Sequence, residues 1–148
     1  MLQVECGFPD NLDHLVRFGP TLNVLVGFDP RYRLDSTDPP ELPITEHHAL
    51  IDTGAQESCI DCDVAAALDL PVVDESLVSG VHGPASVNVH LAQIQIPTLK
   101  YTIYGQFCGV HLHAGGQPHS ALLGRTFLSE LTMVYHGKSG SVMIQRRL

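Results

Sequence analysis

Ala49-Leu50-Ile51-Asp52-Thr53-Gly54-Ala55 is the stretch on which the fold turns. Its first three residues read as a short buried strand that stops at Asp52-Thr53-Gly54, and Ser58-Cys59-Ile60 reads as a second short strand leaving the turn. A carboxylate between two buried strands is costly unless its oxygens are held. An Asp at the end of an apolar strand, followed by a small hydroxyl residue and a Gly, suits a carboxylate bound by backbone N–H groups in a tight turn, with Gly54 letting the backbone come close. Just beyond, Asp61 is a good N-cap for an Ala-rich helix over 62–70, with Val64, Ala67 and Leu68 on one face and Pro71 as its stop.

Outward from this stretch, strands dominate. Leu22, Val24, Val26 and Phe28 alternate with polar or small residues, the period of a half-buried strand. Pro30, Pro39, Pro40 and Pro43, among six charged positions, make residues 29–43 a long surface loop. Val87, Val89 and Leu91 share one phase and Ile94 and Ile96 the other, which predicts a bend or bulge near Ala92-Gln93. The turn of that hairpin is Gly80-Val81-His82-Gly83-Pro84. Two further strands are expected over 101–104 and 107–113, then a Gly115-Gly116 loop and a strand over 121–123 ending at Gly124. Thr126 caps a helix of one to two turns reaching Leu131, and residues 133–135 pair with 141–144 across a turn at 136–140.

The chain of 148 residues has the length of one domain, which excludes a two-lobed enzyme within one polypeptide. Hydrophobic residues at 44% and charged residues at 16% provide a real core and exclude disorder. A net charge of −8 argues against a phosphate-tracking surface and so against nucleic acid as a partner. The charge is uneven: residues 1–75 carry 15 of the 16 acidic side chains and three Arg, whereas residues 76–148 set Glu130 alone against five Lys and Arg. No apolar run is long enough for a membrane helix, and Glu5, Asp10 and Asp13 stand where a signal peptide would be basic and apolar, so a soluble cytoplasmic protein with no membrane partner is expected. Cys6, Cys59, Cys62 and Cys108 are too few and too irregular for a disulfide scaffold and read as packing thiols.

About seventy residues after the first string stands Leu122-Leu123-Gly124-Arg125, followed by the expected short helix. The first string resembles the active-site loop of aspartic peptidases, and Ser58-Cys59-Ile60 resembles the strand leaving that loop in retroviral-type members. The second string is similar to the other signature of the retropepsin family, in which two apolar residues and a Gly cross behind the catalytic turn and lead into a helix. Between them, Gly80 to Gly83 occupies the place of the family's flap. A lone D-T-G is a weak signal; three features in the family's order are a specific one. The likeness extends in topology from Thr21 to Ile144 and is sharp in about 20 residues. Gln56, followed by Glu57, stands where viral enzymes usually carry an Asp that pairs with the Arg of the second signature, so that ion pair does not carry over directly and the partner of Arg125 stays open, with Glu57 or another acid as candidates.

The resemblance implies an all-β, retropepsin-like closed barrel, the acid protease fold, over residues 21–148, with a flap hairpin and two short helices, one after the active-site loop and one near the C-terminus. Residues 1–20 form an N-terminal extension without a family-derived role. It implies an aspartic endopeptidase in which Asp52 is catalytic, Thr53, Gly54, Ala55, Leu123, Gly124 and Arg125 support the site, and Gly80, Val81, His82 and Gly83 form the substrate-binding flap. Leu50, Val81 and Leu123 are expected as wall residues. The chemistry needs two carboxylates sharing one proton. One D-T-G per chain therefore implies a C2 homodimer acting on a peptide or protein substrate, with neither cofactor nor metal. The alternative is a retropepsin-like dimerisation or peptide-binding module with little or no hydrolysis.

Rival chemistries are weaker. Cys59-x-x-Cys62 sits where a strand meets a helix, the setting of a thioredoxin-type dithiol, but lacks a βαβ unit and reads better as two buried thiols flanking the turn. Cys108, His111 and His113 are close in sequence, yet on a strand the two histidines share one face and Cys108 the other, so two ligands at most converge. Gly137-Lys138-Ser139 lacks the first Gly of a phosphate-binding loop, since Thr132 occupies that place, and no G-x-S-x-G supports a serine nucleophile.

Overall fold

A computed structural model describes residues 1–80 and 83–148. Its elements are β1 (Leu2–Glu5), α1 (Leu12–Phe18), β2 (Thr21–Gly27), β3 (His47–Ile51), β4 (Cys59–Asp61), α2 (Cys62–Ala67), β5 (Val72–Gly80), β6 (Gly83–Ile96), a 3₁₀ turn (Pro97–Leu99), β7 (Tyr101–Val110), β8 (Ala121–Leu123), α3 (Arg125–Leu128), β9 (Thr132–His136) and β10 (Ser141–Arg146). The larger sheet runs β2-β3-β8-β4-β7-β6-β5, and β2 also pairs with β6, which closes the ring into a barrel and leaves β5 as an outer strand. The pairs β3–β8 and β4–β7 are parallel. A second sheet, β1-β10-β9, brings residues near the two ends of the sequence together.

The barrel forms because alternate residues of short strands point inward. Val24 and Val26 on β2, Ala49 and Ile51 on β3, Ile60 on β4, Ile94 and Ile96 on β6, and Ala121 and Leu123 on β8 are all buried in one core. Burying each of the larger side chains contributes roughly 1.5–3 kcal/mol. Phe127 of α3 and Leu15 of α1 plug the same core.

The closed β-barrel agrees with the reading of the sequence; several details correct it. The strand β6 runs without a bulge at Ala92-Gln93, in unbroken register with β7 from Val89↔Cys108 to Ile96↔Tyr101. Its two apolar phases are two faces: His90, Ala92, Ile94 and Ile96 face the core, while Val89 and Gln93 are buried on the other side. The irregularity lies instead on β5, between Val72 and Asp74. The expected strands over 101–104 and 107–113 are one, β7, because Gly105 passes through the ladder opposite Ala92. That strand stops at Val110 because the N–H groups of Leu112 and His113 bond to the Asp61 carboxylate, at 2.9 and 3.0 Å.

Asp61 caps α2 as expected, accepting from the backbone N–H groups of Asp63 and Val64, but the helix ends at Ala67, and Asp69 turns the chain away with φ 51°. Gly124 rather than Thr126 is the N-cap of α3, so that helix begins and ends earlier than its sequence suggests. A third α-helix, α1, precedes the expected two. Residues 1–20 are part of the folded body: β1 pairs with β10, and Cys6 and Leu15 join the core. The loop over 29–43 has no helix or strand, as its prolines predict. Buried Gln93 pins its base: its Oε1 accepts the Asp29 N–H at 2.7 Å and its Nε2 donates to the Asp29 carbonyl at 3.0 Å.

Candidate active site

Asp52 stands immediately after β3, half-buried, at the point where the parallel partner β8 gives way to Gly124. Its Oδ1 accepts the Gly54 N–H at 2.9 Å, and its carbonyl accepts the Ala55 N–H at 3.2 Å. The turn thus aims the carboxylate by means of its own backbone.

The second signature locks that turn from behind. Asp52 N–H donates to the Leu123 carbonyl (2.9 Å), Arg125 N–H to Ala55 (2.9 Å) and Thr126 N–H to Gln56 (3.1 Å). The Gly124 N–H donates to the Ser58 hydroxyl at 3.0 Å, inside the protein. A Cβ on Gly124 would lie 2.5 Å from the Glu57 carbonyl oxygen and 2.8 Å from that of Gln56, so only glycine permits the crossing. Arg125 reaches back across 72 residues of sequence, and its Nη1 donates to the Thr53 carbonyl at 2.8 Å. This corrects the expected acidic partner: Arg125 is satisfied by backbone, and among the described residues no carboxylate, Glu57 included, forms an ion pair with it.

Asp52, Thr53, Gly54, Ala55, Leu123, Gly124 and Arg125 are therefore brought together. Leu123, however, is fully buried and cannot line a wall. Its neighbour Leu122 faces the other way, half-buried, in register with Leu50 on one side and Cys59 on the other. Cys59 in turn opposes Cys108, and Cys108 opposes Val89, giving an apolar row Leu50, Leu122, Cys59, Cys108, Val89 that ends two residues from Asp52. Ser58 and Leu122 were not legible as site residues; a lone polar residue between a turn and a buried strand was the available signal for Ser58. Gly80 and Gly83 face each other at the end of the β5–β6 ladder, and Gly83 has φ 96°. Val81 and His82 lie outside the described residues.

The rival sites do not gain support. Burial, with Cys108 and Asp52 nearby, pushes the Cys59 thiol up to about 11, opposite to an activated dithiol. Burial and the carboxylates of Asp61 and Asp63 also raise Cys62. His111 and His113 are exposed, and His113 Nδ1 lies 3.4 Å from the buried Asp61 carboxylate. Among the described residues, no three His, Cys, Asp or Glu side chains group to hold a metal ion, and no helix is long and apolar enough to cross a membrane.

Comparison with known proteins bears on the fold. A retropepsin-like aspartic protease from Rickettsia conorii superposes with a TM-score of 0.56 over 97% of this chain and 90% of that one, at 12% sequence identity. The fold is retropepsin-like. No protein-family model matches the sequence, and no curated protein matches it.

Proposed function

We propose that the chain is one half of an aspartic endopeptidase, a homodimer whose two Asp52 carboxylates meet on the twofold axis. The observation that carries this reading is the Asp52 turn: a half-buried carboxylate aimed by the Gly54 N–H and locked by Leu123, Gly124 and Arg125, present once per chain. In the dimer one carboxylate is ionised and takes a proton from a water as it attacks the peptide carbonyl; the other is protonated and hydrogen-bonds the carbonyl oxygen. Like charges so close do not both ionise, which gives the pair separated apparent pKa values and a bell-shaped pH profile.

Thr53, exposed in the single chain, braces the dyad across the axis. The substrate is an extended peptide that adds a strand beneath the hairpin tip at Gly80, Val81, His82 and Gly83. The half-buried row beginning at Leu50 and Leu122 favours apolar side chains beside the scissile bond.

The test is a peptide-library cleavage assay from pH 4 to 8, run beside Asp52→Asn, with sedimentation of both proteins. The wild type is expected to cleave as a dimer, while Asp52→Asn keeps the fold and the dimer and loses roughly 10²–10⁴-fold in rate. Cleavage that survives Asp52→Asn, or full activity in a strict monomer, overturns the reading. A dimer that binds peptides and cleaves none replaces it with the binding-module alternative, for which the departure at Gln56 is the one motive in the sequence.

A further inference from the structure

A cavity of about 460 Å³ lies away from Asp52 and uses none of the residues placed in the active site. Its roof is the loop over 29–43, through Tyr32, Leu34 and Asp38. Its floor is the turn between β6 and β7 together with the end of β10, through Lys100, Tyr101 and Arg146. The roof belongs to the acidic half of the sequence and the floor to the basic half, so the charge asymmetry has a physical location here.

Arg146 is held in place before any ligand arrives. Its Nη1 donates to the Leu99 carbonyl at 3.0 Å and to the Lys100 carbonyl, and its guanidinium carbon stands 5.1 Å from the centre of the Tyr101 ring. Those bonds engage one edge of the guanidinium. The Nε and Nη2 groups, the pair that binds a carboxylate in fork geometry, have no protein acceptor among the described residues. Lys100 beside it has left-handed backbone, φ 48°, and lines the same cavity. Among the described residues, no carboxylate pairs with either cation.

Asp38 on the roof is the one acidic side chain in the lining, so the local formal charge is one positive. The remaining walls supply ring and aliphatic surface from Tyr32, Tyr101, Leu34, Pro39 and Pro97. Tyr32 itself is anchored by stacking on Tyr104, with ring centres 5.7 Å apart. An adjoining smaller cleft sets Asp29, Asp38 and Glu41 against Arg31, so its lining is net negative and disfavours an anion on the loop side.

We infer that this cavity binds a small organic monocarboxylate with an aromatic or branched apolar body, its carboxylate on Arg146 and Lys100 and its body against Tyr32 and Tyr101. A dianion gains less, because a single net positive charge faces it and Asp38 opposes the second negative charge. A neutral isostere loses the fork with Arg146.

Isothermal titration with 2-naphthoate, and with 2-naphthamide as the uncharged control, tests the inference on the full chain. Naphthoate binding is expected to weaken at least tenfold in Arg146→Gln and several-fold in Lys100→Gln. In Asp38→Asn it is expected to tighten several-fold, because the opposing charge is gone. Naphthamide binds weakly and responds to none of the three. Should Arg146→Gln fail to fold for want of its carbonyl anchors, the opposite signs at the exposed positions 38 and 100 still decide. Absence of naphthoate binding at millimolar concentration, equal binding of the amide, or weakening in Asp38→Asn overturns the inference. Because Asp52 plays no part in this titration, the result is independent of whether the protein cleaves peptides.

Discussion

The crossing of the two signatures and the β5–β6 hairpin are held in opposite ways. At the crossing, residues 52–58 and 123–126 are joined by three backbone bonds, and the buried Ser58 hydroxyl takes the Gly124 N–H. Among the described residues the hairpin's outer strand β5 has a single strand partner, and Val72, Val73 and Leu77 are exposed along it. The turn that aims the Asp52 carboxylate is held by segments distant in sequence, whereas the outer strand of the hairpin is tied only to its neighbour. Elements with few buried contacts open at lower free energy than the core, so the crossing is expected to hold where the hairpin opens.

The strongest way to break this contrast is to force the crossing apart. Gly124→Ala sets a Cβ against the carbonyls of Glu57 and Gln56 and is expected to cost about 3 kcal/mol or more, a fall of roughly 10 °C in Tm. An unchanged melting curve would mean that the crossing yields as easily as the hairpin. Ser58→Ala leaves the Gly124 N–H without its acceptor inside the protein; a loss of about 2 kcal/mol is expected in chemical denaturation. At the hairpin, a Cβ on Gly83 meets no neighbouring atom within 4 Å, so Gly83→Val is expected to cost chiefly what positive-φ backbone costs, about 1–2 kcal/mol. If the hairpin covers the site, this variant lowers turnover tenfold or more, roughly 1.4 kcal/mol of barrier, with amide exchange at the crossing unchanged.

Acid sharpens the contrast most gently. At Asp61 burial opposes ionisation, but the N–H groups of His113, Leu112 and Val64 outweigh it and hold the carboxyl below its ordinary 3.8. The stability it confers is complete above that value and is lost as pH falls through the lower folded one. Burial, with His48 nearby, holds His119 below its ordinary 6.5, so its contribution is likewise complete above 6.5 and declines as pH drops toward the folded value. Thermal melts are expected to show one loss beginning below pH 6.5, reduced in His119→Gln and shared with His47, which burial also lowers, and another in the carboxylate range, reduced in Asp61→Asn and shared with Glu5. A melt independent of pH between 6.5 and 5 in the wild type would contradict the first.

What the sequence made legible follows from where each signal resides. The Asp52 turn and the second signature carry their constraints locally, in a carboxylate beside small residues and a glycine no other side chain can replace. The strands around Val24, Val26, Ala121 and Leu123 announce themselves by burial on alternate positions. The strand β1 could not be read that way, because four residues take their pattern from the partner β10. The two apolar phases of β6 need no bulge, because both faces of that strand are covered from Val89 to Ile94 and the rule of one apolar phase does not apply. The partner of Arg125 is open in the sequence, where acids are the natural candidates, because a backbone acceptor such as the Thr53 carbonyl leaves no mark on residue identity. Leu122 and Leu123 differ by one residue and therefore by a whole face, which only their ladders with β3 and β4 decide.

The meeting of β1 with β10 has a consequence for how the protein comes into being. Cys6 donates from its thiol to the Val142 carbonyl, 136 residues away, and the parallel pair β3–β8 waits on residues made late. Pairings of such long sequence separation exact their loop-closure entropy before they return any contact energy, so they form slowly. During synthesis the earlier strands leave the ribosome with their partners still missing, and their unpaired edges are exposed to aggregation over that interval. Refolding from denaturant is accordingly expected in the millisecond-to-second range typical of nonlocal β topologies. A chain cut before β10 would leave β1 without its partner strand and the core without Val142 and Ile144.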